Sequence, residues 1–282
     1  MSALILPSSR VSAKWLAENI DHPQLVVLDA SWFMPGAARD GYAEWQQQRI
    51  PHAQYFDFDK KIADTNAALP HMLPSPDVFA REVGVLGISN DSVVVVYDSQ
   101  GIFSSPRVWW MFRAMGHSQV AVLDGGLPAW RQAGYALETK TPETVTETDF
   151  VPHYDPTWVI DSDTLHQALS DPQNQIFDAR PAERFYGLAP EPREGVRSGH
   201  MPYANSLPFS QLLEKGHLLP VEQLQQRFDA LSDPEQQLIF SCGSGVTACI
   251  LALAADIAGR KHLTVYDGSW TEWGSEYRYP VE

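Results

Sequence analysis

Leu238-Ile239-Phe240-Ser241-Cys242-Gly243-Ser244-Gly245-Val246-Thr247-Ala248 passes from a short apolar run, through a cysteine, into a glycine-rich turn and then a helix-forming stretch. That order reads as strand, tight loop and helix. Strand–helix alternation builds parallel α/β sheets, whose sites form outside the C-terminal strand ends, and Cys242 falls at such an end. A loop of free backbone N–H groups, leading into a helix that starts near Val246, favours negative charge. The expectation is a thiolate at neutral pH and a cradle for any anion attached to its sulfur. A free cysteine titrates near 8.5, and lowering it by ~1.5 units takes about 2 kcal/mol of extra anion stabilisation. Gly243 and Gly245 are expected to supply the positive φ that lets the backbone curl around the sulfur. A free cysteine is otherwise a small buried hydrophobe. The Gly-x-Gly turn argues against that for Cys242; for Cys249, among Ile250-Leu251-Ala252-Leu253, it is the favoured reading.

Outward from this loop, the chain is a degenerate repeat. The first half carries Leu28-Asp29-Ala30-Ser31, Arg49-Ile50-Pro51-His52-Ala53, Val93 to Asp98, and Leu123-Asp124-Gly125-Gly126 with Trp130 behind it. The second carries Phe177-Asp178-Ala179-Arg180, His200-Met201-Pro202-Tyr203-Ala204, Leu238 to Cys242, and Tyr266-Asp267-Gly268-Ser269 with Trp273 behind it. The landmarks recur at offsets of 149, 151, 144 and 143, and Asp98 occupies the place of Cys242. The polar, Thr-rich stretch between the halves reads as a linker. Domains are therefore expected at 1–138 and 157–282, with a linker at 139–156. Apolar runs at 25–28, 93–97, 120–123, 176–178, 238–241 and 263–266 are strand candidates, apolar throughout as in sheets covered on both faces. Ser12, Ser75-Pro76 and Pro220-Val221-Glu222 mark helix starts. Asp29 and Asp178 read as strand-end caps, Trp109, Trp110 and Trp130 as packed aromatics, and His52 and His200 as structural.

The 282 residues carry a net charge of −15, which disfavours nucleic acid and anionic lipid as partners. Two cysteines, Cys242 and Cys249, make no disulfide framework and lack the Cys/His company of a zinc site, so neither metal nor cofactor is expected. The first seven residues have no basic region and too short an apolar run for a signal peptide, and the stretch from Ala248 ends at Asp256, too short to span a bilayer. A reducing, cytoplasmic location is expected. Against this acidic background Arg180, Arg184, Arg193 and Arg197 fall within 18 residues. Such a cluster suits a carboxylate-bearing substrate, or else pairs on the surface with Glu183, Glu191 and Glu194. A Cys-x5-Arg phosphatase loop would need an arginine six residues after the cysteine; that residue is Ala248.

These features resemble the rhodanese family: tandem α/β domains, each a parallel sheet flanked by helices on both faces, the second bearing a catalytic cysteine loop and the first a silent copy. The resemblance covers nearly the whole chain. It extends to Asp267-Gly268-Ser269-Trp270-Thr271-Glu272-Trp273, Pro190-Glu191-Pro192-Arg193-Glu194-Gly195, His71-Met72-Leu73-Pro74 and Ser105-Pro106-Arg107-Val108-Trp109-Trp110. Residues 242–248 are most similar to the loop of family members that use 3-mercaptopyruvate. Members that use thiosulfate typically carry Arg and Lys after the cysteine, where Gly243 and Ser244 stand here. The resemblance implies that Cys242 takes sulfur from 3-mercaptopyruvate as a persulfide, releases pyruvate, and hands the sulfur to cyanide or to a thiol such as reduced thioredoxin. It further implies an anion-cradling loop of Gly243, Ser244, Gly245, Val246 and Thr247, and substrate contacts from Arg184 and Arg193. Arg107 of the first domain would line the cleft from the other side, and Arg180 would brace the fold. A Ser244–His71–Asp59 relay would move the proton that pyruvate needs, with Asp57 an equally placed alternative to Asp59. Thiosulfate as donor remains the alternative within the family.

Overall fold

The computed structural model describes residues 3–141 and 144–282. By packing, the chain divides into two compact units. One takes the residues up to Thr65, Leu73–Asp155 and Lys215–Leu218; the other takes Asn66–Met72, Pro156–Glu214 and Leu219–Glu282.

The first unit holds β1 (Arg10–Val11), α1 (Ala13–Asn19), β2 (Leu25–Asp29), α2 (Gly41–Gln47), β3 (Gln54–Tyr55), α3 (Pro76–Val85), β4 (Val93–Tyr97), α4 (Ser105–Ala114), β5 (Val120–Leu123) and α5 (Gly126–Gln132). Its sheet runs β1-β5-β4-β2-β3, every pair parallel. β4 is buried at all five positions, as its unbroken valines predict for a strand covered on both faces. Val95, Tyr97, Val27 and Ala121 pack with Leu16 of α1 and Leu127 and Trp130 of α5 on one face. Phe56, Phe79, Phe112 and Phe150 interlock in a separate aromatic cluster. The Ser12 hydroxyl caps α1 and Ser75 caps α3, each accepting the N–H three residues on.

The second unit repeats the plan. It holds β6 (Val159–Ile160), α6 (Ser162–Ala168), β7 (Asn174–Asp178), α7 (Ala182–Phe185), β8 (Ala204–Ser206), β9 (Leu213–Glu214), α8 (Val221–Asp229), β11 (Gln237–Ser241), α9 (Ala248–Ile257), β12 (Leu263–Tyr266) and α10 (Ser269–Trp273). β10 (His217–Leu218) belongs with the first unit. The sheet order is β6-β12-β11-β7-β8, again all parallel. Every residue of α9 from Ala248 to Ala255 is buried, so this helix is core on all sides.

The repeat seen in the sequence is a repeat of backbone conformation. Asp29 Oδ1 accepts the Ser31 N–H at 2.8 Å, and Asp178 Oδ1 accepts the Arg180 N–H at 2.9 Å, so both strand ends close with the same aspartate turn. His52 and Tyr203, one residue after the repeated proline, both hold φ of 64°. Three features depart from the pattern expected of the sequence. The described part of the 139–156 segment runs along the first unit: Thr148 N–H donates to Gly84, His153 N–H to Met115 and Asp155 N–H to Ala114. The turn at Lys215–Leu218 packs with the first unit, where Asp124 Oδ1 accepts the Leu218 N–H at 3.0 Å. His71, expected as a contribution of the first domain, sits in a segment that packs with the second unit.

Candidate active site

β11 delivers the chain to Cys242 and α9 begins at Ala248, so residues 242–247 form the loop. The first turn of α10 holds the outside of this loop. Trp270 N–H donates to the Cys242 carbonyl at 2.9 Å, and Thr271 gives its N–H and its hydroxyl to the Gly243 carbonyl at 2.8 and 2.6 Å. In a trans peptide the carbonyl and the following N–H point in opposite directions. With the carbonyls of 242 and 243 drawn toward α10, the N–H groups of Gly243 and Ser244 face the other way. Among the described residues no oxygen accepts the N–H of Gly243, Ser244, Val246 or Thr247. Four amide donors are thus left for an anion. Cys242 itself is 1% exposed.

The first unit shows what such a loop does when its anion is built in. There the loop runs from Asp98 to α4, one residue longer than from Cys242 to α9, which accounts for the fall in offset from 144 to 143. Asp98 Oδ2 accepts the N–H groups of Phe103, Ser104 and Ser105 at 2.9, 3.1 and 2.9 Å, together with the Ser105 hydroxyl at 2.7 Å. Oδ1 accepts the Gln100 N–H at 2.9 Å. In the 143-residue register, Phe103, Ser104 and Ser105 stand where Val246, Thr247 and Ala248 stand in the second unit. The chain therefore contains one cradle closed on its own carboxylate and one, following a thiol, whose N–H groups have no acceptor among the described residues.

The two loop glycines do different work. Gly245 holds φ of +78°, the left-handed backbone expected of it. Gly243 does not; a Cβ there would lie 3.2 Å from Arg184 Nη2, so a side chain at 243 would press on that guanidinium and shift it by a few tenths of an ångström. Arg184 gives Nε and Nη2 to Glu191, whose side chain is only 4% exposed, and Nη1 has no hydrogen-bond partner among the described residues. One edge of the guanidinium is fixed, and its Nη2, with Nη1 beyond, lies beside Gly243 of the cysteine loop. Arg180 is buried, binds both oxygens of Asp178 and the Gly199 carbonyl, reaches Glu191 and covers the Trp270 ring, so it braces the fold. Arg197 is committed to the carbonyls of Gly274, Trp273, Glu276 and Tyr279. Arg193 is half-buried.

Ser244 is 7% exposed, and its hydroxyl makes no hydrogen bond among the described residues, so the first link of a Ser244–His71–Asp59 relay is not made in this structure. His71 is 4% exposed and holds φ of +56°, a strained backbone for a side chain with a Cβ. Asp57 and Asp59 line one cavity of about 310 Å³ in the first unit, with Arg39, Tyr55 and Lys60. Arg107 is fully buried in α4, its guanidinium 4.5 Å from the centre of the Trp110 ring, an arrangement that serves packing.

Sequence reasoning passed over Ser269. Its hydroxyl accepts the Cys242 N–H at 3.1 Å, donates to the Tyr266 carbonyl at 2.8 Å and lies 4.0 Å from Cys242 Sγ. The repeat held the signal. Ser269 registers with Gly126, and the two share a left-handed backbone, φ 50° and 54°. Where the first unit uses glycine without strain, the second keeps a serine beside the sulfur. Among the described residues no group of three or more His, Cys, Asp or Glu could hold a metal ion, and no helix is long and apolar enough to cross a membrane.

Comparison with known proteins agrees with the repeat. The rhodanese-like domain matches twice, at residues 12–133 and 161–276. The thiosulfate/3-mercaptopyruvate sulfurtransferase 1 of Arabidopsis thaliana, a mitochondrial protein, is 43% identical over 96% of this chain and 77% of its own length. The 3-mercaptopyruvate sulfurtransferase of Rattus norvegicus is 40% identical over 97% of this chain and 94% of its own. The crystal structure of the Escherichia coli 3-mercaptopyruvate sulfotransferase superposes with a TM-score of 0.84 at 35% identity, covering 93% of this chain and 99% of that one. With two such domains in tandem, a cysteine loop in one and an aspartate in its place in the other, this chain belongs to the rhodanese family.

Proposed function

We propose that this chain is a sulfurtransferase that moves the sulfur of 3-mercaptopyruvate through a Cys242 persulfide to cyanide or a thiol. The Cys242 thiolate attacks the donor's sulfur, the S–C bond breaks, and its electron pair leaves on carbon as the enolate of pyruvate. The donor's own thiol proton ends on that carbon, which leaves pyruvate and an anionic persulfide. The acceptor then attacks the outer sulfur, the S–S bond breaks, and the Cys242 thiolate is regenerated. The persulfide left on Cys242 is an anion, and the unpaired N–H groups of the loop are suited to hold it. The observation that carries this reading is the Asp98 loop, in which the corresponding backbone path gives four N–H hydrogen bonds to a carboxylate, with a fifth from the Ser105 hydroxyl.

Arg184 and Arg193 are the candidates for the keto acid's carboxylate and carbonyl. Arg184 already spends one edge on Glu191, its guanidinium lies beside Gly243, and Nη1 remains free to bind. Ser244, His71 and Asp59 are the candidates for carrying the proton to the enolate, which requires Ser244 to turn toward a partner when the donor binds. With Cys242 1% exposed, a three-carbon donor reaches the sulfur only after neighbouring side chains move. Reduced thioredoxin is one acceptor of the thiol class. Two free thiols suit a reducing compartment, here taken as the cytoplasm.

Turnover with 3-mercaptopyruvate and with thiosulfate, each with cyanide as acceptor, tests the donor. Gly243 and Ser244 put no cation beside the sulfur, so the keto acid is expected to be preferred. A preference for thiosulfate would reassign the donor, and hydrolysis of an aryl phosphate would reassign the reaction.

A further inference from the structure

Cys249 is a buried thiol that the reaction above leaves unused. Its Sγ lies 3.3 Å from the Gly245 carbonyl oxygen and donates to it. Gly245 is the one residue of 242–247 with positive φ, and as a glycine it puts little restraint on the orientation of the peptide that follows it. That peptide carries the Val246 N–H. We infer that Cys249 is a positioning residue for sulfur transfer: its thiol holds the Gly245 carbonyl outward, and so turns the Val246 N–H toward the anion on Cys242.

The internal repeat supports this. Val246 registers with Phe103, whose N–H donates to Asp98 Oδ2 at 2.9 Å. The carboxylate is always present there, so the anion itself fixes the peptide. The residue registering with Cys249 in the first unit is Pro106, which has no side-chain donor. In the second unit the charge on the outer sulfur comes and goes with each turnover, and a tether outside the ring keeps the donor in place between cycles. Preorganised donors of this kind act because they need no reorientation when charge develops. Trp270 and Thr271 hold the carbonyls of Cys242 and Gly243 by the same device on the opposite side of the loop.

The inference rests on Cys242 being the nucleophile, so its test includes a reading that needs no sulfur donor. Single-turnover persulfide formation from 3-mercaptopyruvate and alkylation by iodoacetamide would both be followed on the Cys242 peptide by mass spectrometry. Loss of a whole preorganised donor costs about 10²–10³ in rate; loss of its tether is expected to cost about tenfold in Cys249→Ala and in Cys249→Val, which remove the donor with a smaller and a larger side chain respectively. Cys249→Ser keeps a hydroxyl donor and is expected to stay within about twofold of the parent. Parent rates in folded Cys249→Val, or a Cys249→Ser as slow as Cys249→Ala, would overturn the tether. If the parent formed no persulfide, the alkylation rates would still decide the tether and the reaction itself would fall. A measurement that needs no core substitution at Cys249 is the infrared S–H stretch of the Cys242→Ser protein, whose one remaining thiol is Cys249. A band shifted down by hydrogen bonding is expected, and a band at the frequency of a non-donating thiol would refute the tether.

Discussion

Four arginines close together in sequence have different surroundings in the folded chain. Arg197 is tied to four carbonyls, so Arg197→Ala is expected to cost about 3 kcal/mol or more of stability, since hydrogen bonds from charged groups contribute about 1.5–3 kcal/mol each. Arg193→Ala is expected to raise KM for the keto acid about tenfold or more, the scale of a lost charge-assisted contact, and to leave the melting temperature nearly unchanged. Steady-state kinetics and thermal melts on the two variants check this contrast, and an unchanged KM in Arg193→Ala would remove it from the substrate site. Ser269 makes the opposite trade. Replacing it with glycine relieves a left-handed backbone worth about 1 kcal/mol and loses two hydrogen bonds, from the Cys242 N–H and to the Tyr266 carbonyl, of about 1 kcal/mol each. Stability should therefore fall by only about 1 kcal/mol while persulfide formation on Cys242 slows severalfold. A Ser269→Gly variant with unimpaired transfer would show that the serine serves the turn alone. At Asp29, burial holds the carboxyl up at about 6, against 3.8 when exposed. The folded chain then binds the extra proton between those values, so this contribution to stability is full below about pH 4 and is lost as the pH rises through 6. Asp29→Asn lacks it, and the stability of the parent relative to Asp29→Asn should fall by about 3 kcal/mol between pH 4 and pH 7. A difference that stays flat with pH would contradict the assignment.

The strand–loop–helix element is where one backbone serves two purposes. In β4–Asp98–α4 the ring of donors is satisfied from within, so Asp98→Ala leaves five hydrogen-bond donors with no acceptor. At about 1–3 kcal/mol for each buried group left unpaired, partly recovered by water, a loss of at least 3 kcal/mol is expected, read as a drop in denaturant midpoint; a near-neutral variant would mean that the ring does not bind anions. In β11–Cys242–α9 a thiol stands in the carboxylate's place, and the N–H groups of Gly243, Ser244, Val246 and Thr247 have no acceptor among the described residues. Most of this element could be read in advance: the apolar run, the cysteine at its end and the glycine at 245 are local signals. The place of Gly243 was not, because its neighbour is Arg184, on a helix nearly sixty residues away in sequence. The outer clamp from α10 was equally hidden, since the hydrogen bonds from Trp270 and Thr271 close a contact across almost thirty residues.

In the whole molecule, duplication explains both the fold and the aspartate that stands in the cysteine's place in the first half. Two sheets of the same strand order, with matching aspartate turns and matching left-handed residues after the prolines, follow from landmarks that the sequence displays at nearly constant offsets. Composition misjudged the segments that join the repeats. Residues 144–155 look like a free linker because they lack periodicity, yet their backbone groups pair with helix ends of the first unit. The segment containing His71 and the turn at Lys215–Leu218 each pack with the unit of the other half, which no local pattern announces. The proposed chemistry rests on the unpaired amides of one loop meeting the charge on its sulfur. Its most direct test is peptide mass spectrometry after incubation with 3-mercaptopyruvate. The expected result is one added sulfur atom on the peptide containing Cys242, removed again by cyanide and absent from Cys242→Ser. A chain that gains no sulfur, or gains it on Cys249 instead, would contradict the account.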